Sequence, residues 1–340
     1  MITIGIIGLG VAVTPHAKSL LEMTDRVRVA HAFSRTPARR EAFAACFPFP
    51  TADDLAVVLG DPTVDAVLVL TPPNTHLEVV EQCARAGKHV LLEKPFDRNS
   101  ARARRIIEVC KARGVTLGIV FQHRFRLGAL RLRQLVDEGA LGRLANASAY
   151  IRWWRPQRGY YDQPGRGTFA QDGGGVLITQ AIHTLDLHLS LTGPVSEVSA
   201  FAQTSHLHDI EVEDIVGAVV RYTNGAIGTI DATTVCYPGF KERIELVGNL
   251  GTAILTGSEL RVYFQDGREL SEGAAEDVAG GADPMAFPHH FHRRLIEDFV
   301  NALETGGQPR ITGEEGVKIH YLIEALLRSA AERRVIPLNE

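Results

Sequence analysis

The chain has 340 residues, 45% of them hydrophobic, and a formal net charge of −4 at pH 7. That is apolar material enough for two ordinary cores, and the mixed charge gives no electrostatic case for nucleic acid or an anionic membrane surface. No apolar stretch reaches the length of a bilayer span, and the strand-like opening Ile2–Ile7 carries no secretory pattern, so a soluble cytoplasmic protein is expected.

Ile2–Ile7 leads into Gly8-Leu9-Gly10 and then a helical run from about Val13 to Met23. In a dinucleotide fold the first glycine permits the tight turn, and the second lets a pyrophosphate approach backbone N–H groups at the helix start. Gly8, Gly10 and Val11 are the expected contacts, although Val13 stands where the strict GxGxxG pattern has its third glycine. Val27–Phe33 reads as the second strand and ends at Ser34-Arg35-Thr36-Pro37. An NAD-specific fold would usually place an acid there for the ribose hydroxyls. A serine hydroxyl with Arg35 and Arg39 suits a 2′-phosphate instead, so NADP(H) is expected over NAD(H).

Asp53–Leu59 reads as a short helix and Val64–Leu70 as a buried parallel strand, followed by the loop Thr71-Pro72-Pro73-Asn74-Thr75-His76. A helix from about His76 to Ala86 comes next, with Gly87 at its end. His89–Leu92 then closes in Glu93-Lys94-Pro95. This tripeptide puts a cation at the carboxyl edge of a sheet, where open α/β sheets bind ligands. Asn99-Ser100 caps a helix over Ala101–Arg113, and Val115–Phe121 is one more strand. The alternation predicts a doubly wound parallel sheet, with the loops at Gly8, Thr71 and Lys94 on one edge.

After Phe121 the period changes. A helix over Leu130–Glu138 precedes long amphipathic strands: Leu144–Trp154, Val195–Gln203, Glu213–Tyr222, Ala226–Cys236, Arg243–Gly248 and Ala253–Thr256. Asn224-Gly225 marks a hairpin. This predicts an open, mostly antiparallel sheet with helices on one face, the other face serving a homodimer or homotetramer. The domains are expected at 1–122 and 123–340, with helices His289–Glu304 and Thr312–Arg333 packing back on the first; Ser271–Asp283 is expected as a mobile loop. Within the second half, Asp172-Gly173-Gly174-Gly175 precedes Thr179, His183 and Asp186, placed on one helix face by their spacing. A histidine between a hydroxyl and a carboxylate suits acid–base work near neutral pH.

Together these residues resemble the glucose–fructose oxidoreductase/inositol dehydrogenase/rhizopine catabolism (Gfo/Idh/MocA) family. The match runs nearly end to end through Gly8-Leu9-Gly10 with His16, Thr71–His76, Glu93-Lys94-Pro95, Gly173–Gly175 with His183 and Asp186, and Val212-Glu213-Asp214. The resemblance implies a Rossmann domain, an α/β domain whose open sheet joins subunits, and hydride exchange between a nicotinamide cofactor and a hydroxyl-bearing carbon of a sugar or cyclic polyol. It also implies that Lys94 hydrogen-bonds the reacting oxygen and that His183 shuttles the proton. Many members carry Asp where this chain has Thr179, and a threonine cannot act as a carboxylate base, so His183 is expected to carry proton transfer with Lys94 or with water held by Thr179; Lys94, His183 and Thr179 are the expected catalytic residues. Cofactor contacts are expected from Gly8, Gly10, Val11, Ser34, Arg35, Arg39, Thr71, Pro72, Asn74, His76, Glu93 and Lys94. Substrate contacts are expected from Lys94, Gln122, Arg124, Trp154, Tyr161, Arg166, Thr179 and His183. Cys46, Cys83 and Cys110 fall in predicted helices as small core-facing residues, none of the four cysteines pairs, and His289, His290 and His292 read as helix-start residues, so no metal is expected. Two alternatives share the fold: an NAD-dependent, redox-assisted glycosidase and a non-enzymatic cofactor-binding regulator.

Overall fold

The computed structural model describes residues 1–273 and 288–338. It divides into two compact units, Met1–Phe121 with His289–Val317, and Gln122–Pro288 with Lys318–Glu340.

In the first unit, strands β1 (Ile2–Ile7), β2 (Val27–Phe33), β3 (Thr51–Ala52), β4 (Ala66–Val69), β5 (His89–Leu92) and β6 (Leu117–Ile119) alternate with helices. The helices are α1 (Val13–Leu21), α2 (Pro37–Cys46), α3 (Leu55–Gly60), α4 (His76–Arg85) and α5 (Ser100–Ala112). The strands form one parallel sheet in the order β3-β2-β1-β4-β5-β6, which reverses direction at β1. The reversal opens a crevice at the strand carboxyl ends. The near-continuous apolar runs are explained by burial on both faces, complete along β4. Asp54 caps α3 by accepting from Ala56 N–H, and Asn99 caps α5 by accepting from Arg102 N–H. One expectation is corrected: Cys83 and Cys110 are buried, but Cys46 ends α2 on its exposed side. With Pro37 opening α2, only Phe43 of that helix faces the core.

The second unit contains α6 (Leu127–Asp137), β7 (Leu144–Arg152), α7 (Ile182–Thr192), β8 (Val195–Gln203), β9 (Ile215–Tyr222) and β10 (Ile227–Thr233). Then come β11 (Arg243–Gly248), β12 (Gly251–Thr256), β13 (Glu259–Phe264), β14 (Glu269–Glu272) and β15 (Ile336–Pro337). They form one nine-stranded sheet, β14-β13-β12-β11-β7-β10-β9-β8-β15. Every pairing is antiparallel except β10 with β7. Strand β9 alternates buried and exposed residues, as a sheet covered on one face requires. Helix α7, buried over almost its whole length, packs on the covered face against β7. The β9–β10 hairpin turns at Asn224-Gly225, with Gly225 at φ +89°. Helix α8 (His290–Thr305) packs on α1 within the first unit, and α9 (Gly313–Glu332) follows. Of the expected loop Ser271–Asp283, Ser271 and Glu272 lie in β14, and residues 274–283 are outside the described residues. Among the described residues no helix is long and apolar enough to cross a membrane.

Candidate active site

The carboxyl edge of the first sheet is built from backbone. Gly8 has φ +106°, and a Cβ there would lie 2.8 Å from the Leu70 carbonyl carbon and 3.0 Å from Thr71 N. The glycine loop and the Thr71–His76 loop therefore approach as only glycine allows. A Cβ on Gly10 would meet nothing within 4 Å, and Val11 is exposed. A close-packed first glycine beside open space at the second fits a pyrophosphate over the start of α1. At the end of β2, Ser34 is buried; its hydroxyl accepts from Thr36 N–H and its carbonyl accepts from the Arg40 guanidinium. Arg35 and Arg39 are exposed. Asp53 and Asp54 follow β3, whose Ala52 carbonyl accepts from Ser34 N–H.

In the loop after β4, the Thr75 hydroxyl donates to the Pro72 carbonyl and is hydrogen-bonded to the Thr71 hydroxyl, while Pro72 and Asn74 are exposed. The fully buried His76 ring ties this loop to the next one. Its Nε2 faces the Thr71 carbonyl at 2.8 Å and its Nδ1 faces the Phe96 carbonyl at 3.0 Å. Burial is the larger influence and lowers its pKa, against the pull of the two carbonyls.

Lys94 sits between a buried Glu93 and a cis peptide to Pro95. The Glu93 carboxylate accepts from the Lys94 backbone N–H at 2.6 Å and is joined to His16 Nε2 at 3.1 Å. His16 in turn meets His292 edge-on, with ring centroids 4.7 Å apart. His292 lies well below the usual histidine range because of burial and the neighbouring His16, His289 and Lys94 charges. The helix-start reading of the three histidines thus resolves into separate contacts. His289 pairs with Glu22 at 2.7 Å, His290 packs on Phe291, and His292 turns inward to His16 and Glu93. The possible ligand atoms of His16, Glu93 and His292 lie within 4.8 Å of one another, and both Glu93 oxygens are engaged by N–H groups of the first unit.

The second unit assembles the histidine site. Residues Leu177–Ala181 are wound as a single π turn ahead of α7. Thr179 lies in this turn, and His183 and Asp186 lie in α7 after it. The Thr179 hydroxyl donates to the Gly175 carbonyl at 2.6 Å. Glu213 anchors this turn by accepting from Gly175 N–H at 3.0 Å and Leu177 N–H at 3.2 Å. Burial raises the Glu213 pKa, partly offset by those amides. A Cβ on Gly175 would lie 1.9 Å from the Glu213 carbonyl oxygen.

Arg124 grips Asp186 with two hydrogen bonds of 2.7 Å. His183 is buried, and its ring stacks on that of His123 at a centroid distance of 4.9 Å. Gln122 is buried beside them in sequence, on the short turn Gln122–Phe125. Of the expected aromatic surface, Tyr161 is buried with its hydroxyl on Thr234, and burial pushes its pKa up. Trp154 packs edge-on to Tyr237. The more open Tyr160 accepts from the Gln180 amide and carries the Arg155 and Arg166 guanidinium groups against its ring. Arg166 also lies 3.7 Å from Asp172.

Three buried residues escaped sequence reasoning. His123 Nε2 accepts from Arg126 at 2.6 Å, and Arg126 is paired with Glu242. The dense run Gln122-His123-Arg124-Phe125-Arg126 was the available signal, since two arginines entering a buried turn need partners. Asp214, in the Val212-Glu213-Asp214 motif, accepts from His208 and Ser205. Burial is the largest single influence and works to raise its carboxyl, but those bonds together outweigh it and hold the group below the usual range.

Residues 2–121 match the family model described as "Oxidoreductase family, NAD-binding Rossmann fold", and residues 129–254 match the "GFO/IDH/MocA C-terminal domain". A myo-inositol 2-dehydrogenase of Thermotoga maritima is 29% identical over 99% of this chain and 98% of its own length. A 1,5-anhydro-D-fructose reductase of Ensifer adhaerens is 30% identical over 76% of this chain and 75% of its own. The crystal structure of the WlbA dehydrogenase from Bordetella pertussis, in complex with NADH and UDP-GlcNAcA, superposes with a TM-score of 0.85 at 28% identity, covering 100% of this chain and 99% of that one.

Proposed function

Because the chain belongs to the Gfo/Idh/MocA oxidoreductase family, we propose that it interconverts a hydroxyl and a carbonyl on a sugar, cyclic polyol or related small molecule. The observation that carries the reading is the Glu93 clamp on Lys94 at the carboxyl end of β5, beside a glycine loop shaped for a dinucleotide. A bound nicotinamide supplies the hydride acceptor or donor. Gly8, Gly10 and Val11 hold the pyrophosphate, and the Thr71–His76 loop with Glu93 borders it. Lys94 hydrogen-bonds the reacting oxygen and stabilises the alkoxide that develops there. His183 accepts the hydroxyl proton in oxidation and returns it in reduction. Thr179 shapes the turn that carries His183, its hydroxyl being held by the Gly175 carbonyl. Tyr160, Arg166 and Trp154 offer aromatic faces and donors suited to a polyol.

NADP(H) is preferred over NAD(H) in this reading, supported by Ser34 and the exposed Arg35 and Arg39 at the end of β2. The open sheet face supports a homodimer or homotetramer. Phe201, Val219 and Ile227 lie on it across three adjacent strands, and Phe201 is 81% exposed.

The test is a screen of sugars, inositols and their keto forms with NAD and NADP, run on the wild type and on Lys94→Ala and His183→Ala. Net turnover of free cofactor, lost by at least about 100-fold in both variants, is the expected result. Full turnover in either variant refutes that residue's role. A response to NAD alone refutes the assignment of Ser34, Arg35 and Arg39. Substrate cleavage without net cofactor turnover favours the glycosidase reading.

A further inference from the structure

Helix α7 presents His183 to a layer of the second unit that the proton-exchange reading does not use. His123, Arg126 and Glu242 are each no more than 5% exposed, and they run as a chain from His183 into the interior. Glu242 pairs with Arg126 Nη1, which also donates to the Gly257 carbonyl at 3.2 Å. Arg126 Nη2 points at His123 Nε2 at 2.6 Å, and the His123 ring stacks on His183 at 4.9 Å with planes 30° apart.

A guanidinium can only donate. The Nε2 of His123 must therefore carry a lone pair, and its ring proton sits on Nδ1. Protonating His123 would drive an N–H against Arg126, so this ring stays neutral while Arg126 is in place. Glu242 balances the Arg126 charge from one side, and Arg124 balances Asp186 from the other. Among the described residues, Arg126–Glu242 and Arg124–Asp186 are thus each a pair of opposite charges.

We propose that His123 is a positioning residue for His183: the Glu242–Arg126 pair locks it as a neutral Nδ1–H tautomer, and its ring face sets the orientation of the His183 imidazole. The inference rests on the reading of His183 as the proton carrier. It assigns to His123 no contact with substrate. Its physical basis is that a proton carrier must be held within a few tenths of an ångström of its working geometry, and a stacked ring of fixed charge does this without competing for the proton.

The test compares His123→Ala, which removes the face, with His123→Phe, which keeps a flat ring but cannot accept from Arg126. Steady-state kinetics are read beside NMR of the His183 ring, its signals assigned by their loss in His183→Asn. For His123→Ala we expect kcat to fall about 10- to 100-fold with KM and cofactor affinity nearly unchanged, and the His183 ring signals to shift and broaden. His123→Phe should recover most of the loss in kcat while moving the pH midpoint of His183, because Arg126 then directs its charge at an apolar ring. If His123→Ala leaves both kcat and the His183 signals as in the wild type, the inference is overturned. It is also overturned if kcat and folded fraction fall in parallel in both variants with His183 unmoved. The NMR readout does not need the enzyme reading: full activity of His183→Asn would sink that reading, while the His183 signals still decide whether His123 holds the ring.

Discussion

Removing Arg124 should destabilise the second unit severely, and removing Asp186 with it should undo most of the damage. Both hydrogen bonds between them are 2.7 Å, and the side chains are 9% and 1% exposed. In Arg124→Met the Asp186 carboxylate loses its bidentate donor in a site that water does not reach, a change that typically costs about 3–5 kcal/mol. In Arg124→Met with Asp186→Leu the interior charge is gone, and apolar replacements of such pairs come within about 1 kcal/mol of neutral. The chain supplies its own probe, because both tryptophans, Trp153 and Trp154, lie in the second unit. With a urea dependence of about 2–3 kcal/mol per molar, the single variant should unfold about 1–2 M earlier by tryptophan fluorescence, and the double variant within about 0.5 M of wild type. A single-variant shift below about 0.3 M, or a double variant no better than the single, would refute the argument. Arg124 would then be available for the substrate, as expected from sequence.

Gly8→Ala should weaken NAD(P)H binding at least about 10-fold by fluorescence titration, since φ +106° and the 2.8 Å approach to Leu70 force the two loops apart; unchanged affinity would show that the loops yield. The second unit should also lose stability in acid. Burial pushes His188 and His320 down to about 4 from 6.5, so the folded state binds fewer protons than the unfolded state between those values. Their stabilisation is complete above about pH 6.5 and declines as pH falls toward 4, by up to about 3 kcal/mol each. Urea midpoints by tryptophan fluorescence at pH 7.5 and 4.5 should differ accordingly, and His188→Leu should shrink the difference; an equal difference in that variant contradicts the assignment. Glu213→Ala leaves the Gly175 and Leu177 amides unsatisfied and should lower kcat about 10-fold with cofactor affinity intact, whereas Glu213→Gln, whose single carbonyl oxygen can replace only one of the two acceptors, should lose less; equal losses in the two variants would refute the assignment.

The layout of the first unit was legible because its signals are local. Apolar runs of strand length, Asp54 and Asn99 at helix starts, and glycines at sharp turns each act within a few residues. Strand edges were overextended by one or two residues, as at Val64–Leu70 against the observed Ala66–Val69, since apolar loop residues continue the pattern past the last ladder bond. Hydropathy could not tell Cys46 from Cys83 and Cys110, because the start of α2 at Pro37 decides which face Cys46 takes.

The sequence by itself determined a parallel nucleotide-binding sheet and an open antiparallel sheet, and it singled out Lys94 and His183 as candidates for the chemistry. Tertiary structure decided what each of those residues leans on. Spacing put Thr179, His183 and Asp186 on one stripe, but it did not show that Thr179 sits in a π turn whose Gly175 and Leu177 amides are held by Glu213, 38 and 36 positions away. Arg124 found Asp186 62 positions along the chain, and Arg126 found Glu242 116 positions along. Such partners carry no local signature. A buried charge must be neutralised by something, and only the folded chain determines which distant residue is near enough to do it.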